Sequence, residues 1–159
     1  MNARAETFYT RADDFDQETV VRQATKQKVA SVVSINKQAI PEWLKKTNNL
    51  LLAIIALNNN WDSYGAKRIS HRVAEAVSNL LYDIMQKNTP APQVVPSASG
   101  SIQLEWHLKG IDLEIEVESF AISRVFFEDS RNEEPAWEGV IDVNLSKLVR
   151  YINILTTRN

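Results

Sequence analysis

The sequence of 159 residues lacks several residue types and motifs on which common protein functions depend. It contains no cysteine, which excludes a disulfide or a thiolate metal site and fits a reducing compartment. It has only two histidines, His71 and His107, so most histidine-based hydrolytic sites are excluded as well. A glycine-rich phosphate loop, a nucleophile elbow and an HExxH motif are all absent from the sequence. We therefore predict no cofactor and no catalytic residue.

Long apolar segments are lacking too. The longest apolar run, residues 50–57, has eight residues, far fewer than the roughly 20 that a membrane-spanning helix needs. The first residues of the chain do not form the apolar stretch of a signal peptide. These features predict a cytoplasmic protein that does not enter a membrane.

Residues 101–118 carry the clearest structural pattern, because apolar and polar side chains alternate on both sides of residues 109–110. Alternation with a period of two is typical of half-buried strands, and a two-residue break is typical of a β-hairpin turn. The resulting register places the like-charged Glu105 and Glu114 opposite each other, so we expect a compensating group nearby. The polar face of this hairpin carries Gln103, Glu105, His107, Asp112, Glu114, Glu116 and Glu118, with His107 opposite Asp112.

Helical patterns stand before and after the predicted hairpin, and the α+β class follows from that order. Pro41, Ser70 and Asn144 are suitable first or capping residues for three helices. We predict an antiparallel meander of about four strands with helices packed on one face, in the order α-α-β-β-β-β-α. The predicted bounds are about 41–58, 71–87 and 145–157 for the helices, near 121–128 and 137–143 for the later strands, and 88–100 for a stiff linker.

Residues 1–36 are set apart by their polar composition. Glu18 and Arg22 have the i,i+4 spacing of a helical ion pair, which favours a polar helix over residues 17–30. A flexible tail that orders on a partner fits the composition equally well. We therefore predict an N-terminal extension over 1–36, flexible or helical, followed by a single α+β domain over 37–159.

Charge is distributed unevenly along the chain, although the net charge is only −2. Residues 101–142 hold eleven acidic and three basic residues, whereas 1–100 and 143–159 each carry a net charge of +3. An acidic surface is unsuited to nucleic acid, which requires basic residues. We therefore exclude direct nucleic-acid binding by the sheet face and expect a basic partner there.

Three interpretations of the acidic hairpin face remain open at this point. Exposed strands often carry solvated carboxylates, which water and salt screen well. Alternatively, the face is a docking surface for a basic partner. The third interpretation is a divalent-cation or acid/base site built from Glu105, His107 and Glu114, whose side chains are suitable ligand types.

The segment from Asn60 to Ala66 places Trp61 and Tyr64 in an otherwise polar loop. In one interpretation both rings fold back as a lid on the core, and Asp62 hydrogen-bonds its own turn. In the other, the loop is a recognition element that presents the two rings to a partner.

The loop Trp61-Asp62-Ser63-Tyr64-Gly65-Ala66 and the hairpin segments IQLEWH and DLEIE together resemble a family of small bacterial proteins to which no activity is assigned. The resemblance spans about residues 58–118. It implies a bacterial or phage source, and it implies that the helical pair and the hairpin form one unit. No catalytic residue is implied by it.

The function that we predict is a non-enzymatic protein–protein interaction module whose acidic face docks on a basic partner. An antitoxin-like or phage counter-defence inhibitor of a nucleic-acid-handling protein fits this charge pattern. The alternatives are a divalent-cation-dependent enzyme and a self-associating protein, such as a homodimer that pairs acidic and basic regions. The predicted partner-binding residues are Glu105, His107, Asp112, Glu114, Glu116, Trp61 and Tyr64.

Overall fold

The computed structural model describes residues 40–141 and 144–159, which form three α-helices and a five-stranded antiparallel sheet. The predicted N-terminal extension lies outside these residues. No helix among them is long and apolar enough to cross a bilayer. The elements are α1 (Glu42–Ile55), α2 (His71–Ile84), β1 (Gln93–Pro96), β2 (Ile102–Leu108), β3 (Ile111–Val117), β4 (Ser123–Asp129), β5 (Trp137–Val140) and α3 (Leu145–Thr157).

The sheet is a meander, because the spatial order β1-β2-β3-β4-β5 is also the sequence order. The α+β class is confirmed, but the prediction of about four strands is wrong. The additional strand β1 lies within the proline-rich segment predicted to be a linker, and there Val94 pairs with Leu104 and Pro96 with Ile102. An edge strand tolerates proline because one side of its backbone has no partner strand. The element order is therefore α-α-β-β-β-β-β-α.

The hairpin of β2 and β3 has the predicted two-residue turn. Lys109 and Gly110 have φ angles of 56° and 75°, and positive φ at both central positions matches the right-handed twist of the paired strands. A Cβ atom on Gly110 would lie 2.6 Å from the Ser130 hydroxyl, which donates a hydrogen bond to the Gly110 carbonyl. Glycine is therefore required here both by the backbone angle and by the close approach of the chain after β4.

The predicted helix caps are confirmed only in part. The Ser70 hydroxyl accepts a hydrogen bond from the Val73 N–H and caps α2 as predicted. Asn144 precedes α3 but does not cap it, because its side-chain amide donates to the Val140 carbonyl instead. Helix α1 ends at Ile55, and the described residues leave Leu52 63% exposed. Leu52, within the apolar run of residues 50–57, is thus not covered by the described residues.

The core lies between the three helices and one face of the sheet. The Trp106 indole N–H donates to the Pro90 carbonyl at 2.8 Å, and the Phe127 and Tyr151 rings stack with their centroids 3.6 Å apart. Since strand side chains alternate between faces, burial of this face directs the intervening residues outward. The largest fully buried strand side chains are Ile102, Leu104, Trp106, Ile111, Leu113, Ile115 and Phe127.

A buried ion pair joins the last helix to the sheet. The Arg158 guanidinium forms two hydrogen bonds of 2.7 Å with the two carboxylate oxygens of Asp129. The two side chains are only 6% and 0% exposed. Asp129 also accepts the backbone N–H groups of Arg131 and Glu134, and its hydrogen bonds with Arg158 hold the pKa of its carboxyl well below the usual range. The end of α3 is thus bound to the end of β4.

Replacing Arg158 by alanine should destabilise the protein by about 3–5 kcal/mol, because it leaves an unpaired charge buried. The free energy of unfolding in urea measures this effect. Arg150→Ala is the control, since it removes an exposed ion pair with Glu134 that should contribute less than about 1 kcal/mol. Equal losses of stability in the two variants would contradict the stabilising role of the buried ion pair.

The stabilisation should also depend on pH. Because the Asp129 pKa is depressed in the folded state, the contribution of Asp129 to stability should be complete above the unfolded pKa of about 3.9 and lost as pH falls through the folded pKa.

Candidate functional site

The outward-pointing side chains of the sheet lie in rows across the strands, set by the register. One row runs from Glu105 through Glu114 and Phe126 to Glu138. Five of the seven predicted partner-binding residues therefore share a single surface, as the alternation predicts. We call this surface the acidic face and define it by Gln103, Glu105, His107, Asp112, Glu114, Glu116, Arg124, Phe126 and Glu128.

At one end of the acidic face, Arg124 neutralises two carboxylates. Its guanidinium pairs with Glu118 and lies 3.7 Å from Glu116. The Ser101 hydroxyl donates to Glu116 at 2.7 Å. Arg124 does not compensate the opposed pair of Glu105 and Glu114, because the register places it opposite Glu116. The alternating pattern did not indicate this role of Ser101, which precedes β2 and is buried.

At the other end, His107 lies between two carboxylates. Its Nδ1 atom is 2.9 Å from Asp112 Oδ1, and its Nε2 atom is 3.5 Å from Glu105 Oε2. The hydrogen bond with Asp112, supported by Glu105, raises the pKa of the His107 imidazole. When protonated, the ring can donate to both carboxylates, so it is the local cation at this end. The predicted cross-strand pair of His107 and Asp112 is confirmed.

Between these ends lies the Glu114 carboxylate, which has no cation beside it among the described residues. Glu114 faces Glu105 on one neighbouring strand and Phe126 on the other, and it forms no ion pair with any residue in 40–141 or 144–159. Glu128 on β4 faces Asp112 and likewise forms no ion pair with any described residue. Like charges directly opposite each other on a sheet destabilise it. The centre of the face thus combines uncompensated negative charge with an aromatic ring, Phe126, that is 38% exposed.

The cation-site alternative finds no support in this geometry. The described residues contain no group of three or more His, Asp or Glu side chains positioned to hold a metal ion. Glu105, His107 and Glu114 share the acidic face without forming such a group. The distances instead show a histidine bridging Asp112 and Glu105.

The loop between α1 and α2 is held in shape by its own polar side chains. Asp62 Oδ1 accepts the N–H groups of Ala66 and Tyr64, at 3.0 and 2.8 Å, and these bonds lower the pKa of the Asp62 carboxyl. The Asn60 side chain accepts the Gly65 N–H at 2.7 Å. The prediction that Asp62 hydrogen-bonds its own turn is confirmed.

The two aromatic residues of this loop have different environments. Trp61 is half-buried, and its indole N–H donates to the Lys67 carbonyl at 3.2 Å, whereas Tyr64 is 94% exposed. Tyr64 is therefore no lid on the core. The Lys67 N–H donates to the Ala98 carbonyl, so the loop adjoins the β1–β2 turn, at the opposite end of β2 from His107. The joint action of Trp61 and Tyr64 with the acidic face stays a prediction, because the turn that the loop adjoins also holds Ser101, which binds Glu116 of that face.

No protein-family model matches the chain, and no curated protein or solved structure is significantly similar to it. The resemblance expected from the loop and hairpin segments stays a prediction.

Replacing Asp112 by asparagine should lower the pKa of His107, because it removes the charged acceptor that contributes most to the raised value. Glu105→Gln should lower that pKa by less. Titration of the His107 ring resonances by NMR measures both shifts, and an unchanged pKa in Asp112→Asn would contradict the hydrogen bond between the two side chains.

Since the pKa of His107 is raised in the folded state, the contribution of His107 to stability should be complete below the unfolded pKa of about 6.5 and lost as pH rises through the folded pKa.

Proposed function

We propose that this chain is a non-enzymatic interaction module whose acidic face docks on a basic surface of a protein partner. The observation that carries the proposal is the position of Glu114, which lies between Glu105 and the exposed ring of Phe126 without a cation among the described residues. A Lys or Arg side chain of a partner would supply the missing positive charge.

The energetics of this face favour a charged partner over an uncharged one. The opposed pairs Glu105–Glu114 and Asp112–Glu128 repel in the free protein, and a cation placed between them relieves that repulsion. Complementary potentials also accelerate encounter and suppress binding of wrong partners. The exposed ring of Phe126 offers the apolar contact that interface centres commonly contain, and it can pack against the aliphatic part of a Lys or Arg side chain.

The partner class that fits this face best is a protein that handles nucleic acid. Such proteins present clustered Lys and Arg residues that neutralise phosphates. Side chains on one face of a strand recur about every 7 Å, so the carboxylates form a regular array of negative charge. We therefore propose that the protein acts as an inhibitor, of the antitoxin or phage counter-defence kind, that covers the nucleic-acid surface of its partner.

Replacing both Glu114 and Glu128 by lysine tests this proposal sharply. Each lysine would lie opposite a carboxylate, so two repulsive pairs become attractive pairs and the protein should be stabilised by about 0.2–1 kcal/mol per pair. Capture of a partner from a bacterial lysate at low salt should nevertheless be lost, because the face no longer presents its negative charge. Stability and binding thus change in opposite directions, which excludes unfolding as the cause.

The matched control is Glu75→Lys with Asp83→Lys, two exposed positions on α2 that change the net charge equally. This control should capture the partner as the intact chain does, and raised salt should release it from both. Equal capture by the lysine variant of the acidic face, or equal loss in the control, would contradict the proposal. Light scattering over a salt series identifies the case in which the partner is a second copy of the chain.

A further inference from the structure

Basic side chains cluster where the loop meets α2. Lys67, Arg68, His71 and Arg72 are all exposed, and none of them forms an ion pair within the part of the chain that the structure describes. We call these four residues, together with Tyr64, the basic patch. The Lys and Arg residues after residue 100 differ from those of the patch, because each of them contacts another group of the protein.

All six basic residues after residue 100 have a protein partner. Three of them pair with carboxylates, two donate to backbone carbonyls near the chain end, and one lies over an aromatic ring. These residues are Arg124, Arg150 and Arg158; Lys109 and Arg131, with the Leu155 and Asn159 carbonyls; and Lys147, 4.4 Å from the Trp137 ring centroid. By contrast, no ion pair with a described residue engages the basic patch, which leaves its positive charge available to a ligand.

The surroundings of the patch preserve this positive charge. Helix α2 begins at His71 and carries no acidic residue in its first turn, so the positive end of its dipole adds to the patch instead of being neutralised. The loop carboxylate, Asp62, is occupied by the N–H groups of Tyr64 and Ala66. On α2 the nearest carboxylate, that of the exposed Glu75, lies one turn further along the helix. The three Lys and Arg side chains of the patch therefore outnumber the two neighbouring carboxylates.

Tyr64 is presented beside these cations by a rigid loop. Besides the hydrogen bonds of Asp62 and Asn60, the Asn59 side chain accepts the Arg68 N–H at 2.9 Å. Asn60 and Ser63 adopt positive φ angles of 63° and 67°, which the surrounding hydrogen bonds sustain. A loop backbone that is already held in one shape loses less conformational entropy when Tyr64 binds.

We propose that the basic patch binds single-stranded nucleic acid, with its Lys and Arg side chains on the phosphates and the Tyr64 ring stacked on a base. Cations that follow a phosphate backbone beside an exposed aromatic ring are the usual components of single-strand binding. Stacking on an exposed ring requires an unpaired base, which a duplex does not offer. This activity is separate from docking by the acidic face, since the two surfaces share no residue.

Fluorescence anisotropy with the full chain tests the proposal, using labelled single-stranded DNA and RNA of about 12 nucleotides, within the range that such sites cover, and the matching duplex. The intact chain should bind a single strand more tightly than the duplex. Lys67→Glu with Arg68→Glu should weaken binding at least about tenfold and flatten its salt dependence, because two phosphate contacts are lost. Lys45→Glu with Lys46→Glu, an equal charge change on exposed positions of α1, should change the affinity by less than about twofold, since these side chains lie outside the patch.

Tyr64→Ala should weaken binding roughly 5- to 100-fold through the loss of base stacking, and Tyr64→Phe should retain it. Melting curves followed by circular dichroism confirm that these surface variants fold. Absence of single-strand binding at low salt, equal weakening by the α1 control, or full binding by Tyr64→Ala would overturn the proposal. Self-association of the intact chain that Lys67→Glu with Arg68→Glu abolishes, without oligonucleotide binding, would also overturn it and assign the patch to the acidic face of a second copy.

Discussion

The register of the β2–β3 hairpin is the constraint on which the rest of the structure depends. The turn at Lys109 and Gly110 pairs each residue of β2 with one residue of β3, and a slip of one residue would move every apolar side chain to the opposite face. Packing of the three helices on one face opposes such a slip. The same register places the carboxylates together on the outward face. The acidic face is therefore a direct consequence of burying the apolar face of the hairpin.

Electrostatic compensation divides the molecule into engaged and available charges. The most buried pair, Asp129 with Arg158, is fully hydrogen-bonded, as the high free energy of an unpaired buried charge requires. On the acidic face the compensation is incomplete, because His107 and Arg124 reach only the carboxylates at either end. Among the described residues, Glu114 of the acidic face and the four bases of the basic patch are uncompensated groups that a ligand can reach, and the two surfaces have opposite sign.

The two surfaces are complementary in charge to two partners that occur in the same complex, a nucleic-acid-handling protein and its nucleic acid. In the two proposals made above, a nucleic-acid-handling protein would present cations to the acidic face, and the strand that it handles would present phosphates to the basic patch. A module with both surfaces would contact such a complex at the protein and at the nucleic acid. The two surfaces share no side chain, so the two contacts would not compete for the same residues.

The sequence by itself determined the α+β class, the hairpin with its register and the shared outward face of Glu105, His107, Asp112, Glu114 and Glu116, because strand periodicity and turn chemistry are local. Tertiary structure decided what depends on distant residues. Edge pairing made β1 a strand despite its proline, and β4 placed Arg124 beside Glu116 rather than Glu114. Arg158, after the last helix, contacts Asp129, which lies 29 residues earlier in the sequence. No local pattern encodes such contacts, since they exist only after the helices have packed on the sheet.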